Sequence, residues 1–454
     1  MTTRDDDPSL TAATADAHTI ANAAPGPADP LDPLLHGGFK GYPLAAPPVR
    51  RSAIGMLGWN VLAGDLPLPL ALLRREALEH NLAWLQARVD AWGIDLAPHG
   101  KTTMSPQLFR RQLDGGAWGL TFATVAQLAV GVASGARRAL IANQVVSEPD
   151  LAGIQHLLAA QPDLRVVFLV DSIAQLELIE DWARRHRPAR PFEAMVEIGV
   201  EGARTGCRTH AQAIELAGRL RASAALRLVG IECYEGQGAT GESAADAAYT
   251  DALMDRVEAV ARHGVAHDLF EGDEVLVSAG GSALYDLVAR RLRPALGRPV
   301  RGLLRSGCYV THDHGTYQRL QVSIDARLRC AAGESLRPAM EVWATVQSCP
   351  EPRLAIVAMG KRDISFDLSM PVPIARAARG ALEPSAVPAS WRIDALNDQH
   401  AYLRWGEADD ALAPVVGERV GFGISHPCTT FDKWHWMPVV EDDYRVGDAV
   451  SMHF

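Results

Sequence analysis

Between about residue 70 and residue 310 the sequence keeps a single rhythm, in which a short apolar segment is followed by a stretch with helix-starting residues and an apolar stripe at helical spacing. Eight such segments occur in order: IDLAP at 94–98, GLTFAT at 119–124, RALIAN at 138–143, RVVFLV at 165–170, EAMVEIG at 193–199, RLVGIECY at 227–234, EVLVSAG at 274–280 and GLLRSGCYV at 302–310. Eight β segments each followed by a helix predict parallel strands closing into a (β/α)8 barrel, an α/β fold, with an open doubly wound sheet as the rival. Beyond residue 318 the rhythm stops. QVSIDARLRC, EVWATVQSC, RLAIVAMG, ERVGFGIS and DAVSMHF are β-rich and lack long amphipathic helices between them, which predicts a C-terminal, mainly antiparallel β domain.

The expected division is therefore a barrel over 65–318 and a β domain over 319–454, with 371–415 as an insertion or long loop inside the latter. Residues 1–48 hold eight of the 28 prolines, so 1–64 is expected to be a Pro-rich arm, either disordered or draped over the body.

Charge and cysteine usage narrow the function classes. With 44 basic and 54 acidic side chains the net charge is −10, and Lys and Arg are not clustered, so nucleic-acid and membrane-surface binding are disfavoured. The six cysteines show no CxxC spacing, the N-terminus lacks a cationic and apolar leader, and no apolar run approaches a membrane span. The expected compartment is the cytoplasm.

Only four lysines occur: Lys40, Lys101, Lys361 and Lys433. Lys101 directly follows the first strand segment in IDLAPHGKTTM, at the end of a barrel where active sites are built, and partial shielding there lowers the pKa of an amine nucleophile. The same context also suits a solvent-exposed loop lysine. A P-loop is disfavoured, because HGKT lacks the upstream glycine and position 95 is Asp. EGQGATGE places Gly236, Gly238 and Gly241 in a GxGxxG pattern after a strand, which keeps an NAD- or FAD-dependent oxidoreductase as a remote alternative to a flexible active-site loop.

Two further clusters have chemical potential. SAGGS at 278–282 joins the seventh strand segment to a helix, and glycines there allow close approach of an anion such as a phosphate; a plain glycine turn with a serine cap fits equally. In SHPCTTFDKW, His426 and Cys428 stand two apart across a proline, so one extended segment can aim imidazole and thiolate at one ion, and nitrogen plus sulfur suits zinc. A buried cysteine beside a hydrogen-bonded histidine is the alternative, and His312 with His314 in THDHGTY forms a rival pair.

Taken together, PHGKTTM, VEIGVEGARTGC, GIECYEG, SAGGS, LRSGCYVTHD and SHPCTTFDKW resemble the family of metal-dependent D-serine dehydratases and D-threonine aldolases, from about residue 65 to the C-terminus and in the family's order. The resemblance implies a fold-type III pyridoxal phosphate enzyme with an alanine-racemase-like barrel. It implies that Lys101 carries pyridoxal phosphate covalently, with His99 beside it. Arg204 and Tyr234 would contact the cofactor ring or its substituents, and Gly280, Gly281 and Ser282 would hold its phosphate. Tyr309 and Asp313 would complete the pocket, and His426 and Cys428 would bind Zn2+. Thr103 and Met104 depart from the family's signature, which usually has histidine and lysine after the KT pair. Cysteine as the second metal ligand is the dehydratase pattern, whereas aldolases commonly have a carboxylate. The implied activity is β-elimination from a small D-β-hydroxy amino acid, D-serine foremost, giving a 2-oxo acid and ammonia. The alternative is retro-aldol cleavage of D-threonine or 3-hydroxy-D-aspartate, and the implied assembly is a homodimer.

Overall fold

The computed structural model describes residues 29–454. All eight expected barrel strands are present, as Asp95–Leu96, Leu120–Phe122, Arg138–Gln144, Arg165–Val170, Phe192–Ile198, Leu226–Cys233, Val275–Ala279 and Val300–Leu304. Every neighbouring pair from the second strand round to the eighth, and from the eighth to the first, is parallel. The ring closes between the first and second strands, where Trp118 N donates to Leu96 O and Thr121 N to Pro98 O, each at 2.8 Å, and His99 bridges Thr121 in parallel. The doubly wound rival is thereby set aside.

Local chemistry explains the connecting helices. In Arg75–Trp92 the buried positions Leu78, Leu85 and Val89 repeat at helical spacing, and Gly93 ends the helix at φ 67° with its N–H on Asp90 O and Val89 O. Thr124, Ser147, Ser172 and Thr209 each cap the helix that follows, and Thr209 forms a reciprocal capping box with Gln212. Inside the barrel, Ala97, Leu140, Leu169, Met195, Leu276 and Leu303 belong to a small apolar cluster. Below it, at the strand starts, Arg165 links Glu193 and Glu274, and Arg301 links Glu274 and Asp95, at 2.6–3.4 Å. The opposite end carries Gln144, Glu197, Glu232 and Arg305, and it stays polar toward the site.

The second sheet is mainly antiparallel, as expected, but its membership differs from the sequence reading in three ways. First, strand Leu70–Arg74 lies inside it, antiparallel to Met340–Glu351 and parallel to Trp436–Val440, so the chain passes through the β unit before entering the barrel. Its residues LALLR are buried nearly throughout, which is why they resemble a barrel strand in sequence. Second, 371–415 is not a loop: Val372–Ala377, Arg392–Leu396 and Ala401–Arg404 are strands paired into the sheet. Third, QVSIDARLRC, read as β, lies mostly in helix Thr316–Leu328, whose N-terminal N–H groups are held by Asp313.

The described part of the N-terminal arm drapes over this β unit. Leu35, Ile54, Val61 and Leu62 are buried, and Lys40 Nζ sits 3.7 Å above the Trp434 ring while donating to Arg362 O at 2.8 Å. Residues 1–28 of that arm lie outside the described part. Among the described residues, no helix is long and apolar enough to cross a membrane.

Candidate active site

Pro98 has no N–H to continue the first strand, and the chain turns there into one helical turn at Gly100–Thr102. Gly100 is obligatory, because a Cβ there would come within 2.6 Å of Phe122 and 2.9 Å of Phe109. Lys101 is the exposed residue of an otherwise buried run from Gly100 to Phe109, and Cys428, Arg204, Cys308 and Arg305 stand near its amine. Desolvation by the surrounding walls lowers its pKa; the Cys428 and Cys308 thiols act against this, and the Arg204 and Arg305 guanidiniums add to it. The same surroundings keep His99 neutral, through burial first and then through Lys101, Arg305 and Arg204.

Behind Lys101 stands a buried ion pair that sequence reasoning missed. Arg305 is paired with Glu232 and also donates to Cys233 O at 2.9 Å, with Arg305 5 % and Glu232 1 % exposed. Burial pushes the Glu232 carboxyl up to about 8 despite Arg305. Glu232 was visible only as the polar residue in an apolar strand, RLVGIECY, and Arg305 as the cation of LRSG. On the other side, the Arg204 guanidinium lies 5.1 Å from the Tyr234 ring centre, where a cation meets a π face.

The glycine loop is assembled as expected, but its backbone donors are used differently. Gly280 has φ 100° and Cβ space blocked by Leu304, so only glycine fits. Its N–H and that of Gly281 donate to the buried Glu235 carboxylate at 3.0 and 2.8 Å, rather than standing free for an anion. The Tyr234 ring packs on Gly281, Ser306 Oγ donates to Gly281 O at 2.8 Å, and Cys308 N donates to Ser282 Oγ at 3.2 Å. Tyr234, the glycine loop and the turn after the eighth strand thus form one wall.

The β domain supplies the facing wall. His426 Nδ1 lies 2.6 Å from Asp367 Oδ2, and Thr429 holds the other Asp367 oxygen at 2.7 Å. Burial disfavours the charged imidazole, but Cys428 and Asp367 outweigh it and raise His426 to about 9. Cys428 Sγ is 3.4 Å from Thr102 Oγ1 and 3.7 Å from Cys308 Sγ. Of the two thiols Cys428 ionises first, because Cys308 and His426 both stabilise its thiolate. Among the described residues, no group of three or more His, Cys, Asp or Glu side chains is arranged, as it stands, to hold a metal ion.

Other expected groups are engaged within the protein, although Asp313 still lies near enough to His426 to feel its charge. Tyr309 is 2 % exposed and its hydroxyl accepts from Gln112 Nε2 at 3.2 Å, so it packs in the core; Tyr317, eight residues on, interacts with Cys308 instead. Asp313 is spent on capping the helix that starts at Thr316. His312 and His314 are held neutral by burial, down to about 3 and about 4, with His314 packed on Gly423. In EGQGATGE, Thr240 N and Gly241 N donate to Asp246, so a carboxylate already occupies the turn that a dinucleotide would need.

The remaining question is whether the mouth fits a polar ring cofactor held by a lysine. His99 Nδ1, Arg305 Nε and Glu232 Oε2 are buried without a protein partner. Unpaired buried polar atoms are costly unless a bound group completes them, and three of them beside one desolvated amine fit the heteroatoms of pyridoxal phosphate.

Comparison with known proteins agrees. The model for the alanine racemase N-terminal domain matches residues 73–290, and that for a serine dehydratase domain matches 339–440. D-threonine aldolase from an Arthrobacter species is 24 % identical over 379 residues, covering 82 % of this chain and 89 % of that protein. D-threo-3-hydroxyaspartate dehydratase from Delftia sp. strain HT23 is 30 % identical over 172 residues, covering 38 % of this chain and 44 % of that protein. The crystal structure of D-threonine aldolase from Filomicrobium marinum superposes with a TM-score of 0.70 at 23 % identity, covering 86 % of this chain and 95 % of the other. With an alanine-racemase-type barrel and a serine-dehydratase-type β domain joined around one lysine, the chain belongs to the fold-type III pyridoxal phosphate enzymes.

Proposed function

We propose that this pyridoxal phosphate-dependent lyase is a zinc-dependent D-serine dehydratase, converting a D-β-hydroxy amino acid to a 2-oxo acid and ammonia. The observation that carries the reading is the contact between the two walls: Cys428 Sγ stands 3.4 Å from Oγ1 of Thr102, the residue after Lys101. The group that acts on the β-hydroxyl and the amine that acts at Cα have to stand near each other, because the hydroxyl oxygen is only two bonds from Cα.

Pyridoxal phosphate, when bound, supplies the electron sink for charge developing at Cα. Lys101 holds the cofactor and, once released by the substrate amine, takes the Cα proton on Nζ; its lowered pKa keeps part of the amine unprotonated for that task. Arg204 and Tyr234 would contact the cofactor ring or its substituents, and neutral His99 and the Arg305–Glu232 pair would offer it their orphaned polar atoms. Ser282 and the close-approach glycines would line the phosphate end, where the Gly280 and Gly281 N–H groups are already taken by Glu235. Hydroxide is a poor leaving group, and Zn2+ held by His426 and Cys428 would supply the Lewis acidity that its departure needs. Asp367 fixes the His426 ring through Nδ1 and leaves Nε2 for the metal.

D-threonine aldolase is the second reading, supported by likeness to the Arthrobacter enzyme over most of the chain. The dehydratase reading is tested by treating the loaded enzyme with a chelator and supplying D-serine. Pyruvate and ammonia should cease, and should return on adding Zn2+, while the absorbance of lysine-bound cofactor stays. Undiminished turnover in the stripped enzyme would remove the role given to His426 and Cys428.

A further inference from the structure

The turn after the eighth strand carries a thiol that the proposed mechanism leaves unused. Cys308 is 5 % exposed, and its sulfur lies 3.7 Å from Cys428 Sγ and 3.8 Å from Thr102 Oγ1. Its backbone N–H is fixed on Ser282 Oγ at 3.2 Å, so the thiol is placed by the glycine-loop wall and not by the loop that carries His426.

We propose that Cys308 is a third protein ligand of the zinc, turning the His426–Cys428 pair into a His/Cys/Cys site that spans the barrel and the β domain. The inference rests on the zinc reading above and adds a ligand to it. Two sulfurs each about 2.3 Å from one Zn2+ at the tetrahedral angle stand about 3.8 Å apart. The observed 3.7 Å is that edge, so both thiols can reach one ion without moving relative to each other, and the His426 imidazole has to close on that ion to complete the set. The Asp367 carboxylate on Nδ1 sets the imidazole so that Nε2 is the coordinating atom, the carboxylate–histidine–metal arrangement that fixes a ring's tautomer. Three protein ligands leave the fourth tetrahedral position for the substrate, as a catalytic zinc requires. Binding releases the thiol protons to solvent and involves no oxidation.

The consequence is selectivity. A site with two protein ligands relies on water and substrate oxygens and tolerates harder divalent ions, whereas a second thiolate favours zinc over manganese or magnesium. It also ties the barrel's eighth strand to the β domain through the ion.

Zinc-edge X-ray absorption on the full chain, loaded with cofactor and one equivalent of Zn2+, counts the sulfur ligands independently of turnover. Wild type should show two sulfur scatterers at about 2.3 Å. Cys308→Ser and Cys428→Ser should each show one, and each should bind zinc at least about tenfold more weakly in a competition titration. Cofactor absorbance, which serine at position 308 leaves in place, verifies that the variants are folded. A single sulfur in wild type, or spectra and affinity unchanged in Cys308→Ser, would overturn the third ligand while sparing the pair. Failure of folded wild type to retain zinc would overturn the pair and the third ligand together.

Discussion

At the scale of single residues, the candidate site was legible where its residue types are rare in the chain and illegible where they are common. Lys101 stood out because four lysines serve the whole chain and only one follows a barrel strand. His426 and Cys428 stood out by spacing. Glu235, by contrast, looks like any loop glutamate, and its hold on the Gly280 and Gly281 N–H groups depends on two segments 45 residues apart meeting in space. Sequence gives no sign of which way the Tyr309 and Tyr317 rings turn; in the structure Tyr309 packs against Gln112 and Tyr317 reaches Cys308. Lys101→Ala should abolish the visible absorbance of lysine-bound cofactor and lower turnover by about a thousandfold or more, as for loss of a covalent catalytic group. Colour retained on Lys361 or Lys433 would contradict the assignment. His312 makes a separate prediction about stability. Its ring stays neutral down to about 3 in the folded chain, whereas the unfolded chain takes up a proton below the ordinary imidazole pKa of about 6.5. The unfolded state therefore binds more protons in that window, and stability falls as pH falls through it. Asp313 and Glu232, raised by burial to about 6 and about 8, titrate with the opposite sign, so the difference between wild type and His312→Gln isolates the ring. That difference in unfolding free energy should change by about 1.4 kcal/mol per pH unit between roughly pH 6 and 4, read from denaturant titrations.

At the scale of elements, the eight-strand rhythm emerged because a parallel strand buried on both faces needs an unbroken apolar run, and the helices between supply their own caps and stripes. The same property hid the strand Leu70–Arg74, whose LALLR has the look of a barrel strand but pairs with Met340–Glu351 more than 260 residues away. The strands within 371–415 are short, carry Pro373 and several arginines, and pair at the edge of the sheet, so no periodicity marked them. Helix Thr316–Leu328 was misread because V-S-I-D-A-R-L alternates apolar and polar residues over a few positions, and the capping Asp313 lies just outside that window. Leu72 is 0 % exposed on the central strand of the second sheet. Leu72→Ala should cost about 2–5 kcal/mol in chemical denaturation, the cost of a core cavity. A loss below about 1 kcal/mol would mean the strand does not sit in the middle of that sheet.

At the scale of the whole molecule, the proposed chemistry belongs to the seam between the two units. The barrel brings the amine, the neutral imidazole and the buried Arg305–Glu232 pair; the β domain brings the histidine and cysteine that face them. On that reading neither half holds a complete set, and the two domain matches fall on either side of the seam. The net charge of −10 plays no part in this seam, where the local groups beside Lys101 are cationic guanidiniums and two thiols. A substrate that can follow either branch distinguishes the two chemistries most directly, so the decisive measurement is product analysis of D-threonine turnover by the cofactor- and zinc-loaded enzyme, with D-serine alongside. The account predicts ammonia with 2-oxobutanoate from D-threonine, and ammonia with pyruvate from D-serine. Glycine and acetaldehyde as the main products would contradict it, and would make the chain an aldolase built on the same seam.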